Sequence, residues 1–216
     1  MSFDILDPRI DAYLKDLNAK HDDPVLLDME SRAEEHGFPI VGRLCGAFLE
    51  SIALTLGART VFEMGSGYGY SAWWFTRAVG EGGKVWCTDG SQENRDLAEQ
   101  YLTQAGRWDR VEYHVGWAQD ALAATPGEFD IVYSDVDKPQ YPETWLQAKE
   151  RVRPGGLYIC DNVLWSGRVT DDAFDDSESA VAIRKHNELI FADPAFDSFI
   201  FPVRDGLIVA RRRSLE

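Results

Sequence analysis

The chain has 216 residues, 44% of them apolar and 27% charged, and a formal net charge of −15. At about 150 residues per domain, that describes one folded domain with decorated ends and excludes a disordered, collagen-like or fibrous protein. The acidic balance repels phosphate backbones and anionic lipid headgroups, which counts against nucleic-acid and membrane-surface roles.

The opening Met1-Ser2-Phe3-Asp4 lacks the order of a signal peptide, and no apolar run reaches the roughly 18 residues of a spanning helix. A cytoplasmic protein with no membrane partner is expected. Asp7-Pro8 and Asp22-Asp23-Pro24 are helix starts, each an acidic cap followed by proline in the first turn, and Gly37 ends the second helix. A third helix runs from about Gly42 to Gly57, so residues 1–57 form a helical cap.

From residue 58 the pattern changes to short apolar runs at Thr60 to Met64, Val85 to Cys87, Val111 to Val115, Phe129 to Ser134 and Leu157 to Cys160. All but the last are followed by a helix-like segment. This is the pattern of βαβ units, hence an α/β fold with a parallel sheet covered on both faces. Segment 178–192 reads as a further helix. Phe196 to Val203 and Leu207 to Arg211 read as strands joined by Arg204-Asp205-Gly206, whose Asp-Gly pair favours a tight hairpin and an antiparallel end to the sheet. No repeat or linker divides the chain, so 58–216 and the cap are expected to form a single domain. The acidic run from Asp171 to Asp176 reads as a solvated loop or the rim of a site. Cys45, Cys87 and Cys160 lack the spacing of a zinc or redox site and read as reduced core thiols.

The first strand runs into Glu63-Met64-Gly65-Ser66-Gly67-Tyr68-Gly69-Tyr70-Ser71. Glycines between a strand and a helix let the backbone pass close to a ligand, at the strand ends where parallel sheets bind ligands. A dinucleotide fingerprint needs glycine three residues after Gly67, where Tyr70 stands. Asp89, ending the second strand, is placed to accept hydrogen bonds from both hydroxyls of a ribose; the plainer alternative is a surface acid.

The fourth strand runs into Asp135-Val136-Asp137-Lys138 and the fifth into Asp161-Asn162, at the same sheet edge. Asp135, Asp161 and Asn162 can therefore converge as three oxygen donors, a set that selects Mg²⁺, Mn²⁺ or Ca²⁺ over zinc. The alternative is that they cap a helix and turn the chain. Lys138, beside such an ion in a closed crevice, would have its ammonium form disfavoured and so serve as a general base. The four histidines have no ligand spacing, and Met64 replaces the first glycine of a hydrolase elbow around Ser66.

The order and spacing of these segments, with Pro154-Gly155-Gly156, Asp161-Asn162-Val163-Leu164-Trp165-Ser166-Gly167 and Pro202-Val203-Arg204-Asp205-Gly206-Leu207, resemble the cation-dependent, S-adenosylmethionine-dependent O-methyltransferases. Catechol and caffeoyl-coenzyme A O-methyltransferases belong to that family. The resemblance implies a class I methyltransferase, a Rossmann-like three-layer sandwich around a seven-stranded, mostly parallel sheet of order 3-2-1-4-5-7-6. It also implies roles: Glu63, Gly65, Ser66 and Ser71 for the cofactor's amino acid end, Asp89 for its ribose, Ala118 and Gln119 for its adenine, and Val41 as a backbone contact. Asp135, which adjoins the cofactor, Asp161 and Asn162 fall on the metal ligands, and Lys138 on the catalytic lysine. Trp165 is a candidate wall against an aromatic ring.

The expected partner is thus a small-molecule aromatic acceptor with two adjacent hydroxyls, with homodimer and monomer both open. Methylation of a hydroxylated tRNA base is the alternative that the charge disfavours. A nicotinamide-dependent oxidoreductase is disfavoured by the missing glycine and the terminal hairpin, and a non-catalytic binding module by the converging ligands and lysine.

Overall fold

The computed structural model describes residues 7–170 and 175–214; Met1 to Leu6, Asp171 to Phe174 of the acidic run, and Leu215-Glu216 lie outside the described residues. Three helices precede the sheet. In α1 (Pro8–Leu17) the Asp7 carboxylate accepts from Arg9 N, and in α2 (Pro24–His36) Asp23 accepts from Val25 N at 2.9 Å. Gly37 and Gly57 close α2 and α3 (Gly42–Leu56) in the left-handed conformation that suits glycine.

The sheet has the order β3-β2-β1-β4-β5-β7-β6, as the resemblance implied. Strands β1 (Thr60–Met64), β2 (Lys84–Asp89), β3 (Val111–Val115), β4 (Phe129–Ser134) and β5 (Val152–Cys160) run parallel. β7 (Leu207–Arg212) is antiparallel to both β5 and β6 (Phe196–Phe201). Side chains alternate across each strand, so Val61, Ile131 and Ile159 enter one core and Phe62, Val132 and Tyr158 the other. The first core packs under α2, α3, α4 (Tyr70–Val79) and α5 (Gln92–Gln104). The second packs under α6 (Ala118–Ala124), α7 (Tyr141–Ala148) and α8 (Glu178–Phe191). All three cysteines are buried free thiols.

Two boundaries differ from the sequence reading. β5 starts at Val152 rather than Leu157, because the register passes from Phe129↔Val152 to Ile131↔Leu157 and a bulge accommodates Pro154-Gly155-Gly156. β6 stops at Phe201 because Pro202 has no N–H for the ladder, which lengthens the hairpin loop to 202–206. Among the described residues no helix is long and apolar enough to cross a membrane.

Candidate active site

The cleft lies at the carboxyl ends of β1, β2, β4 and β5, where the chain reverses its direction of winding between β1 and β4. Gly65 lets β1 and β4 close together: its φ is +85°, and a Cβ there would collide with the Asp135 carbonyl oxygen. The glycine turn is clamped to its neighbours, with Ser66 N donating to Thr88 O at 2.7 Å and Tyr113 Oη to Gly67 O at 2.5 Å.

Two adjoining cavities share Gly65, Asp89, Asp135, Val136 and Asp137. One, of about 500 Å³, extends to Trp117, Ala118 and Gln140 beyond β3. The other, of about 400 Å³, is walled by Phe38, Val41, Ser66, Tyr70, Ser71, Lys138, Asn162, Trp165 and Arg204. Their size suits one small-molecule ligand in each. Asp89 lines both cavities, and its Oδ1 accepts from Ser91 N and Asn94 Nδ2, which leaves Oδ2 for a ligand's hydroxyls.

Glu63 is fully buried and lines neither cavity; Cys87 Sγ stands 3.5 Å from its Oε2, and its Oε1 has no partner among the described residues. Burial pushes its carboxyl up to about 7, against the pull of the Ser71 and Ser66 hydroxyls. An unpaired buried acceptor is the complement of a ligand ammonium. Gln119 turns away from both cavities: its Nε2 donates to Gln140 Oε1 at 3.0 Å and to Thr144 Oγ1, and Gln140 lines the cavity in its place.

At the other end, Lys138 Nζ donates to Asp135 Oδ1 at 3.2 Å and stands 5.3 Å from the Tyr141 ring centroid and 6.0 Å from that of Trp165. Asp161 is fully buried; its Oδ1 accepts from Asn162 N at 2.8 Å and its Oδ2 from Arg204 Nη1 at 2.8 Å. Burial and the neighbouring Asp135 push the Asp161 carboxyl up to about 7, with Arg204 pulling the other way. Asn162 (φ 59°) and Trp165 (φ 48°) hold left-handed backbone that turns both side chains to the cleft, and Trp165 Nε1 has no partner among the described residues. Asp135 and Asn162 line the cavity, Asp161 lies buried behind them and is joined to Asn162 N, and all three carry hard oxygen donors. Each carboxylate retains lone pairs beyond those bonds, so the donor set fits a divalent cation.

Strand-by-strand reading missed Arg204, as well as Phe38, Tyr70, Trp117 and Gln140 on the cavity walls. The pairing Cys160↔Ile208 carries the start of the antiparallel β7 to the edge where β5 ends, so the signal for Arg204 was available in the predicted hairpin.

The O-methyltransferase family profile matches residues 19–213. A catechol O-methyltransferase of Niastella koreensis is 32% identical over 213 residues, which cover 93% of this chain and 95% of the relative. Tricin synthase 1 of Oryza sativa is 31% identical over 95% of this chain and 83% of its own. Among solved structures, an O-methyltransferase of Bacillus cereus in complex with SAH superposes with a TM-score of 0.86 at 29% identity, covering 95% of this chain and 97% of that one. TomG of Streptomyces achromogenes, an O-methyltransferase of tomaymycin synthesis in complex with SAM, gives 0.84 at 26% identity, covering 95% and 96%. The chain belongs to the O-methyltransferase family.

Proposed function

We propose that this O-methyltransferase transfers the methyl group of S-adenosylmethionine to one hydroxyl of a vicinal dihydroxy aromatic small molecule, with a divalent cation held by Asp135, Asp161 and Asn162. The observation that carries the reading is the meeting of Asp135, Asn162, Lys138 and Trp165 on the wall of one cavity, with the buried Asp161 joined to Asn162 N behind them. The structures of similar O-methyltransferases with SAH and SAM, and the relative named catechol O-methyltransferase, support it.

In this reading Asp89 accepts from the cofactor's ribose, the buried Glu63 from its ammonium, and Trp117 and Ala118 flank its adenine. The cofactor supplies an activated methyl group on a sulfonium. The cation, when bound, would acidify the acceptor hydroxyl as metals do for bound water. Lys138, in its neutral amine form, takes that proton at Nζ, with Asp135 Oδ1 orienting it from 3.2 Å. Trp165 and Phe38 wall the cavity that would take the ring, and residues at the strand ends would position the acceptor, so the protein's share of catalysis is mainly alignment.

Methyl transfer from labelled S-adenosylmethionine to a panel of catechols, each with Mg²⁺ and with EDTA, tests the proposal. Transfer that requires the metal is expected. Undiminished transfer in EDTA would remove the cation from the mechanism. Failure with every catechol while the cofactor binds would remove the acceptor class and turn the search to hydroxylated RNA bases.

A further inference from the structure

Arg204 stands where a glycine would rest more easily. Its φ of 52° is left-handed, a conformation that strains a residue with a Cβ. The loop that carries it is fastened to the segment after β5: Leu164 N donates to Asp205 O at 2.9 Å and Val163 N to Gly206 O at 3.1 Å. Gly206 packs so closely there that a Cβ would stand 2.5 Å from Leu164 Cγ. The backbone under Arg204 is therefore held in fixed relation to Asp161 and Asn162.

Its side chain is differently placed. It is 39% exposed, lines the cleft, and among the described residues bonds only Asp161 Oδ2. Asp161 is fully buried, and its ionised carboxylate needs a counter-charge whether or not a metal is present. A guanidinium on Oδ2 supplies one, and the exposed side chain has room to withdraw into the cleft. A divalent cation arriving at the same carboxylate meets a positive charge within hydrogen-bonding distance of its ligand, an arrangement that weakens its binding.

We propose that Arg204 is a resident counter-cation of Asp161 that competes with the divalent metal, so that loading requires the guanidinium to leave Oδ2. The proposal rests on the metal reading above. It makes residue 204 a determinant of how tightly this enzyme holds its cation, and of how the buried carboxylate is tolerated in the metal-free protein.

The test is calorimetric titration of Mn²⁺ into the metal-free, full-length protein with S-adenosylhomocysteine present. Arg204→Gly, which relaxes the backbone and removes the charge, is expected to lower the Mn²⁺ dissociation constant by about tenfold or more. Arg204→Lys, which keeps the charge, is expected to stay within about threefold of wild type. In EDTA, Arg204→Gly should melt at a lower temperature than wild type and gain more from added Mn²⁺. Should that variant not fold without metal, Arg204→Gln carries the same expectation in the titration. Equal Mn²⁺ affinity in wild type and the uncharged variants would overturn the proposal while leaving the metal reading intact. Absence of Mn²⁺ binding in all of them, with methyl transfer persisting in EDTA, would overturn both.

Discussion

Tyr70 Oη donates a 2.7 Å hydrogen bond to Glu30 Oε1, joining the first residue of α4, which walls the cleft, to a carboxylate on α2. Arg43 of α3 grips the same carboxylate, Nη2 to Oε2 at 2.5 Å and Nε to Oε1 at 3.2 Å, and also pairs with Asp22. Three helices are locked together at this point, and Phe38, just beyond α2, reaches the cavity. Tyr70→Phe deletes a bond to a charged group and should lower stability by about 1.5–3 kcal/mol, read as an earlier urea midpoint. Glu30→Ala should also raise the acceptor KM while cofactor affinity holds, and an unchanged KM would show that the cap does not shape the acceptor side.

Gly65 is the closest approach of β1 to the Asp135 backbone. Because the obstructing atom is a carbonyl oxygen rather than a flexible side chain, Gly65→Ala cannot be absorbed by a rotamer change. Overpacking here should destabilise the fold by about 1–3 kcal/mol. Cofactor affinity should fall with it, since Gly65 lines both cavities. Cofactor binding at wild-type strength in the folded variant would contradict this account.

Lys138→Ala removes the group assigned to take the proton. Turnover should drop by about 10²- to 10⁴-fold, the usual worth of a general base, with cofactor affinity nearly unchanged. Lys138→Arg should not restore turnover, because a guanidinium does not give up its proton. Parallel loss of turnover and cofactor affinity would mark Lys138 as a structural residue.

Glu63 couples stability to function through pH. Its carboxyl is raised from 4.5 to about 7 by burial, so its favourable contribution is present below pH 4.5 and is lost as pH rises through 7. At pH 8 the metal-free, cofactor-free protein holds a buried charge, and Glu63→Gln should stabilise it by up to about 3 kcal/mol. The same substitution should weaken S-adenosylmethionine binding. A variant that is no more stable at pH 8 than at pH 5, relative to wild type, would refute the coupling.

His186 acts in the opposite sense. It is fully buried, with Nε2 3.0 Å from Tyr158 Oη and Nδ1 3.2 Å from Asn187 Oδ1, and burial lowers its pKa from 6.5 to about 4. A depressed histidine pKa means that the unfolded chain binds the proton first, so stability is lost as pH falls from 6.5 towards 4, by about 3 kcal/mol in all. Glu63 pulls the other way over the same range, so the effect is to be read as a difference between proteins. His186→Phe should flatten the loss of stability on acidification, and identical pH profiles for variant and wild type would exclude His186 as its source.

Most of the candidate site could be read in the chain because its information is local. An apolar run of β period followed by Gly65-Ser66-Gly67 declares a strand end and a turn, and Asp135 and Asp161 follow their strands directly. Knowing that both strands are parallel is then enough to bring the two carboxylates to one edge. Gln119 shows the limit of reading along the chain: the resemblance implied a place at the adenine, but its rotamer is decided by Gln140 and Thr144 beyond its own helix.

The relations that tune the site span the chain. Arg204 meets Asp161 across 43 residues, and Tyr70 meets Glu30 across 40. Neither separation follows a helical or strand period, so neither leaves a trace in local spacing. These contacts exist because β7 returns antiparallel beside β5 and because α2 and α4 pack into one core. Periodicity and turn chemistry act within a few residues and specify elements and their ends. Which charge stands against a buried carboxylate depends on packing between elements distant in sequence.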